Sequence, residues 1–168
     1  MKLYYQYIEE GADGARKHEA AYELLRGCLM AEHGIVDADI RKLPSGKPYI
    51  ANNDMHISIS HTEGLVCCAV SDRPIGVDCE HIRTVRKSTM LRVCTEAELR
   101  DIEAASAPEE RFLMYWVLKE SISKKSGVGL RSSFKDYEIS FVDGKPVCAG
   151  HELSIERIGT AYFIAIAE

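Results

Sequence analysis

Apolar and polar positions along the chain separate into short strand-like runs and three helical stretches. Residues 3–8 read as a strand. From Gly14 to about His33 the apolar positions move to helical spacing, with Ala20, Leu24, Leu25, Cys28 and Leu29 on one stripe, and Gly34 ends the helix. A loop containing Pro44, Gly46 and Pro48 follows. Three strands are then predicted at residues 55–60, 65–70 and 75–80, with turn-like spacers at 62–64 and 71–74 that suit antiparallel connections. Thr95 with Glu98 forms a capping box that opens a short helix. Ser106 with Glu109, and Pro108 in the first turn, opens a longer one to about Lys125, terminated by Gly127 and Gly129. The remainder is strand text at 137–141, 152–157 and 161–167, with a turn at Asp143-Gly144.

A faint echo runs through this pattern. Gly46-Lys47-Pro48 recurs as Gly144-Lys145-Pro146, and Ser58-Ile59 before Gly64 recurs as Ser154-Ile155 before Gly159, with a one-residue slip. The shared order predicts a duplicated α+β half. At 168 residues the chain suits one domain or two small packed lobes. Its longest apolar runs fall far short of the ~20 residues that cross a bilayer. The start, MKLYYQYIEEG, has no apolar segment of the secretory kind. These features point to a cytoplasmic protein with no membrane partner.

Net charge is −5, from 21 basic and 26 acidic residues, which argues against a general nucleic-acid surface. One stretch reverses that sign: HIRTVRKSTMLR, residues 81–92, carries four Arg or Lys side chains and no acid. The six cysteines lack metal-site spacing, and several lie in strand text, so reduced buried thiols are expected.

Four local signals carry chemistry. In Ile75-Gly76-Val77-Asp78-Cys79-Glu80, strand alternation turns Asp78 and Glu80 to one face, a donor pair suited to a hard divalent cation. Alone, such a pair is more often a solvated strand end. On the long helix, Leu113, Trp116, Glu120 and Lys124 share a row through i+3 and i+4 steps, so Glu120 needs Lys124 or a metal as partner. Ser58-Ile59-Ser60-His61-Thr62 is a polar cluster able to meet phosphate, although a histidine at a strand end is commonly just exposed. Gly46-Lys47-Pro48-Tyr49 is a loop whose backbone can approach a flat ligand; on its own it is a turn.

The ordered set GKPY, SISHT, IGVDCE and WVLKESISKKSG resembles the 4′-phosphopantetheinyl transferase superfamily, in its single-chain Sfp-type branch, over roughly residues 20–130. The resemblance implies an α+β 4′-phosphopantetheinyl transferase fold, two similar halves in a pseudo-dimer with antiparallel sheets and a long helix. It divides the chain into residues 1–72, the coenzyme A adenine and phosphate side, and 73–168, the Mg²⁺ site and catalytic helix. It implies that Asp78, Glu80 and Glu120 gather around Mg²⁺, with Glu120 and Lys124 catalytic. It further implies that Arg26, Ser60, His61, Lys119 and Lys124 meet coenzyme A phosphates, and that Gly46, Lys47, Pro48 and Tyr49 border the adenine. The implied reaction moves 4′-phosphopantetheine from coenzyme A to a serine of an acidic acyl or peptidyl carrier protein, performed by a monomer whose duplicated half replaces an intersubunit cleft. A non-catalytic coenzyme A or carrier-protein binding module on the same fold is the alternative.

The chain departs from the family pattern at Ser58, where asparagine is usual, at Ile57, and at Val93-Cys94. The basic residues usual ahead of the first helix are also unmatched, Arg16 and Lys17 being out of register. That last departure leaves open how a 3′-phosphate would be gripped.

Overall fold

The computed structural model describes residues 1–127 and 134–168. The first part runs β1 (Lys2–Tyr7), α1 (Gly14–His33), a hairpin of β2 (Ile40–Lys42) and β3 (Pro48–Ile50), then β4 (His56–Thr62) and β5 (Leu65–Ser71). The second runs β6 (Gly76–His81), α2 (Lys87–Val93), α3 (Glu96–Ala104), α4 (Pro108–Ser126), a hairpin of β7 (Ser140–Val142) and β8 (Lys145–Val147), then β9 (Leu153–Ile158) and β10 (Tyr162–Ala167). Apart from α2 and α3, the second part repeats the first. Each builds an antiparallel three-stranded sheet in the order first, fifth, fourth strand (β1-β5-β4 and β6-β10-β9), and each sets its second and third strands aside as a hairpin.

The two Gly-Lys-Pro triplets fall at equivalent turns of these hairpins. Gly46 and Gly144 take φ of +89° and +75°, a left-handed conformation open to glycine at little cost. The one-residue slip also has a cause. Thr62 pairs with Leu65 across a two-residue turn in which Gly64 is second, whereas Ile158 pairs with Tyr162 across three residues in which Gly159 is first.

Some local expectations fail for identifiable reasons. Residues 40–50, read as a loop, hold the β2–β3 hairpin, whose strands are too short to show periodicity. The spacer 71–74 does not join antiparallel neighbours; it carries the chain from the first sheet to the second. The Thr95/Glu98 capping box forms as expected. The Ser106/Glu109 box does not. Ala107 occupies the cap of α4 without a side-chain bond, and Pro108 at the first helical position leaves one less N–H to satisfy. Gly127 closes α4 in the left-handed conformation at φ +69°, while Gly129 lies outside the described residues. The basic stretch after β6 is helical in its second half, as α2.

The halves meet where β4 faces β6. No backbone ladder joins these strands; the alternate hydroxyls of β4 do so instead. Val77 N–H donates to Ser58 Oγ at 3.0 Å, Ser60 Oγ donates to Asp78 Oδ1 at 2.7 Å, and His81 N–H donates to Thr62 Oγ1 at 3.2 Å. Beneath this seam Leu65, Cys67 and Ala69 of β5 pack with Ile75, Val77, Cys79, Ile164 and Ile166 in one apolar cluster. All six cysteines are free thiols, four of them buried.

Helix α4 crosses the second sheet and is buried on most of its circumference, through Phe112, Leu113, Tyr115, Val117, Leu118 and Ile122. It touches β6 so closely that a Cβ on Gly76 would stand 1.9 Å from Ser121 O and 2.3 Å from Lys125 N. Glycine at that position sets how near the helix lies to the strand. Among the described residues, no helix is long and apolar enough to cross a membrane.

Candidate functional site

A cavity of about 470 Å³ opens in the seam, and both halves line it. Helix α1 contributes His18 and Tyr22, and the β2–β3 hairpin contributes Lys42 with Gly46, Lys47 and Pro48. Strand β4 supplies Ser58 to His61, β6 supplies Asp78, Cys79 and Glu80, and α4 supplies Trp116, Glu120, Ser123 and Lys124. Asp78 with Glu80, and Trp116 with Glu120 and Lys124, are the residues that strand alternation and helical spacing place on common faces; Cys79 and Ser123 line the cavity as well.

Lys124 governs the electrostatics of the acidic end. Its Nζ donates to Asp78 Oδ1 and to Ser60 Oγ, each at 2.7 Å. Burial alone would lower the pKa of this ammonium, but the Asp78 charge and hydrogen bond outweigh it and hold the pKa above the usual lysine value. Asp78 is thus the partner of Lys124, and Glu120 is not. Burial and then the Asp78 charge push the Glu120 carboxyl up to about 7; Lys124 opposes the shift and Glu80 adds to it. Glu80 is raised by the same two causes, and Arg83 and Thr62 pull it back. Thr62 Oγ1 donates to Glu80 Oε2 at 3.3 Å, and Arg83 lies 3.5 Å from the same oxygen.

Three carboxylates therefore share a half-enclosed space in which the Asp78 charge disfavours ionisation of Glu80 and Glu120, and the Glu80 charge disfavours that of Glu120. This donor set fits a hard divalent cation, whose charge would relieve the repulsion. As the side chains stand, no three His, Cys, Asp or Glu groups among the described residues have closed to ligating distance. Lys124 holds one of the two Asp78 oxygens, Oδ1.

The remaining site residues divide. Ser60 and His61 line the cavity, and burial followed by the Lys124 charge keeps the His61 imidazole below its ordinary pKa. Gly46, Lys47 and Pro48 also line it, but the Lys47 ammonium turns to backbone: it donates to the carbonyls of Lys125 and Ile75, at 2.5 and 3.4 Å, and so clasps the hairpin onto the end of α4.

Tyr49 does not line this cavity; it lines an adjoining depression together with Lys47, Pro48 and Ile50. Arg26 is exposed one turn beyond Tyr22, with its guanidinium 5.8 Å from that ring, and lines no part of the cavity.

Lys119 overturns its expectation most clearly. It is wholly buried away from the cavity, 2.7 Å from Glu98 Oε2, and donates also to the carbonyls of Val93 and Phe134. Lys119 sits one residue from Glu120, which on a helix is about 100° around the axis, and it falls on the buried row of Phe112, Tyr115 and Ile122. That row was a signal in the sequence. Sequence reasoning missed His18, Tyr22 and Lys42 altogether, because α1 and β2 meet only through the fold.

The 4′-phosphopantetheinyl transferase superfamily profile matches residues 74–165, the stretch that holds β6 and α4. The chain belongs to that superfamily.

It is similar to a 4′-phosphopantetheinyl transferase of Bacillus subtilis, with 33% identity over 114 residues covering 64% of this chain and 51% of that protein. It is also similar to 4′-phosphopantetheinyl transferase Sfp of Bacillus subtilis strain 168, with 30% identity over 121 residues covering 69% and 54%. To 4′-phosphopantetheinyl transferase HetI of Nostoc sp. it shows 30% identity over 134 residues, covering 73% and 54%. The chain spans about half the length of these relatives. Among solved structures, the holo-[acyl-carrier-protein] synthase of Thermotoga maritima is 25% identical, with a TM-score of 0.49 over 56% of this chain and 62% of that one.

Proposed function

We propose that this chain transfers the 4′-phosphopantetheine arm of coenzyme A to a serine of an apo acyl or peptidyl carrier protein and releases adenosine 3′,5′-bisphosphate. The observation that carries this reading is the meeting in one seam cavity of carboxylates from β6 and α4 with the Lys124 ammonium. Membership of the superfamily supports it. In this reading residues 1–72 take the adenine and phosphate side, and 73–168 take the cation and the proton.

Asp78, Glu80 and Glu120 would hold Mg²⁺, which when bound supplies Lewis-acid charge to the pyrophosphate oxygens. The chain's own groups do the rest. The backbone of Gly46 and Pro48 borders the adenine, with the hairpin fixed in place by the Lys47 clasp. Ser60 and His61 face the phosphates. The carrier serine attacks the phosphorus that bears the arm, the bond from that phosphorus to the bridging oxygen breaks, and the electron pair leaves with adenosine 3′,5′-bisphosphate. Glu120 takes the serine proton, help typically worth ~10²–10⁴ in rate. Lys124 follows the charge that develops on the phosphoryl oxygens.

The carrier is acidic and approaches along the basic stretch of residues 81–92. The protein works in the cytoplasm as a monomer, because the seam between its two halves already provides the cleft. The test is direct: an apo carrier incubated with the protein, coenzyme A and Mg²⁺ gains the mass of the arm. Thermal stabilisation by coenzyme A without that gain would make the chain a non-catalytic binding module.

A further inference from the structure

Strand β4 ends on a hydroxyl that serves two groups of β6 at once. Thr62 Oγ1 accepts the His81 N–H at 3.2 Å and donates its own proton to Glu80 Oε2 at 3.3 Å. The first bond ties the hydroxyl to backbone, and the branch at the Thr62 Cβ restricts χ1, so the second bond starts from a fixed point. The other contact of Glu80 Oε2 is Arg83 at 3.5 Å, whose long side chain is exposed. Glu80 Oε1 takes no hydrogen bond from the described residues. One oxygen of this carboxylate is thus held by the first half of the chain, and the other is unclaimed.

The internal repeat supplies a comparison within the molecule. Aligned through their strand pairing, β9 matches β4 and β1 matches β6, so Ser154, Glu156 and Ile158 stand where Ser58, Ser60 and Thr62 do, and Tyr4 and Gln6 stand where Asp78 and Glu80 do. Ser58, which meets only the Val77 N–H, keeps a serine as its counterpart. Ser60 and Thr62, which reach the carboxylates of β6, do not. The half that lacks the carboxylates also lacks the hydroxyls that touch them, so these hydroxyls follow the carboxylates and not the strand.

We propose that Thr62 is a positioning residue for the divalent-cation site: its hydroxyl holds Glu80 in one pose, and the docking of the first half on the second thereby sets how tightly the chain binds the cation. The proposal rests on the functional reading above, in which Glu80 is one of three carboxylates around Mg²⁺. Thr62 acts through Glu80 and is not itself a ligand. A carboxylate fixed in advance loses less side-chain freedom when the cation arrives, which is how a group outside the ligand set tunes affinity.

The test is direct titration of the EDTA-treated, desalted chain with Mn²⁺ alone, with the free ion followed by electron paramagnetic resonance. Thr62→Val keeps the shape without the hydroxyl and should weaken Mn²⁺ binding by about tenfold. Thr62→Ser restores the hydroxyl and should bind within about threefold of the wild type. In a Glu80→Gln background, adding Thr62→Val should cost no more than about a further twofold, because the group it acts through is already altered. The Mg²⁺ concentration for half-maximal arm transfer should rise with Thr62→Val by the same factor as the Mn²⁺ dissociation constant. If Thr62→Val does not fold, Thr62→Ala carries the same expectations. Wild-type Mn²⁺ affinity in the hydroxyl-free variant, or an equal loss with Glu80 and with Gln at that position, overturns the positioning role. Absence of saturable Mn²⁺ binding by the wild type overturns it together with the cation site. The expected Mn²⁺ results without arm transfer in the mass assay overturn the functional reading instead, so the failures are distinguishable.

Discussion

Lys124 Nζ lies 2.7 Å from both Asp78 Oδ1 and Ser60 Oγ, so one ammonium ties helix α4 to a strand of each half. This contact makes the seam between the repeats a chemical site as well as a packing surface. It leaves Glu120, one turn away on the same helix face, without an ion-pair partner among the described residues. The consequences can be measured.

Glu120→Gln should separate activity from stability. In the absence of metal, Glu120 rises from the 4.5 of an exposed glutamate to about 7 in the fold. Between those values the native state binds more protons than the unfolded chain, so this group's ionisation costs stability progressively as pH climbs from about 4.5 to 7. In EDTA, the melting temperature of Glu120→Gln should match the wild type near pH 4.5 and exceed it by a growing margin up to pH 8. Transfer should fall by ~10²–10⁴. A melting-temperature difference that stays constant with pH would remove the raised carboxyl from the account.

Gly76→Ala tests the spacing of β6 and α4. With Ser121 O 1.9 Å from the added methyl, the helix backbone must shift, at a cost of about 1–3 kcal/mol or somewhat more. Because Glu120 and Lys124 ride on that helix, transfer per folded molecule should also fall. Urea unfolding together with assays at matched folded concentration checks both parts. A stable variant of wild-type activity would show that the close approach is not needed.

Lys119→Met should behave as a core variant. Removing one partner of a buried, hydrogen-bonded pair costs about 3–5 kcal/mol, because Glu98 is left charged and also anchors the N–H groups of Thr95 and Ile139. Stability should drop sharply, whereas the coenzyme A KM of the folded fraction should hold. A large rise in that KM with little loss of stability would return Lys119 to the phosphates.

What the sequence made legible was what it encodes locally. Thr95 and Glu98 cap one another within four residues, and Asp78 and Glu80 share a face by strand alternation alone. The repeat surfaced through Gly-Lys-Pro because a tight hairpin constrains its turn. The meeting of His18 with Lys42, and of Ser60 with Asp78, depends on how a helix, a hairpin and two sheets dock, and no spacing carries that. The motif places Lys119 with the phosphates by its position in a string, whereas its position around the helix axis puts it on the buried row of α4.

The basic stretch after β6 should steer the carrier. Arg86 is exposed, and Lys87 has only a 4.0 Å contact with Glu103, both groups exposed, worth little at the surface. Reversing Arg86 and Lys87 to Glu should raise the carrier KM several-fold and leave that for coenzyme A nearly unchanged. The wild-type carrier KM should rise with salt, as screening over ~8–10 Å requires. An unchanged carrier KM at low ionic strength moves the docking face elsewhere.

The most direct measurement is one mass spectrum of an apo carrier protein after incubation with coenzyme A, Mg²⁺ and either the wild type or Asp78→Asn at equal folded concentration. The expected result is a carrier heavier by one 4′-phosphopantetheine with the wild type, matched mole for mole by adenosine 3′,5′-bisphosphate, and an unmodified carrier with Asp78→Asn over the same interval. An unmodified carrier with the wild type, or equal modification by both proteins, would contradict the claim that the seam cavity performs the transfer.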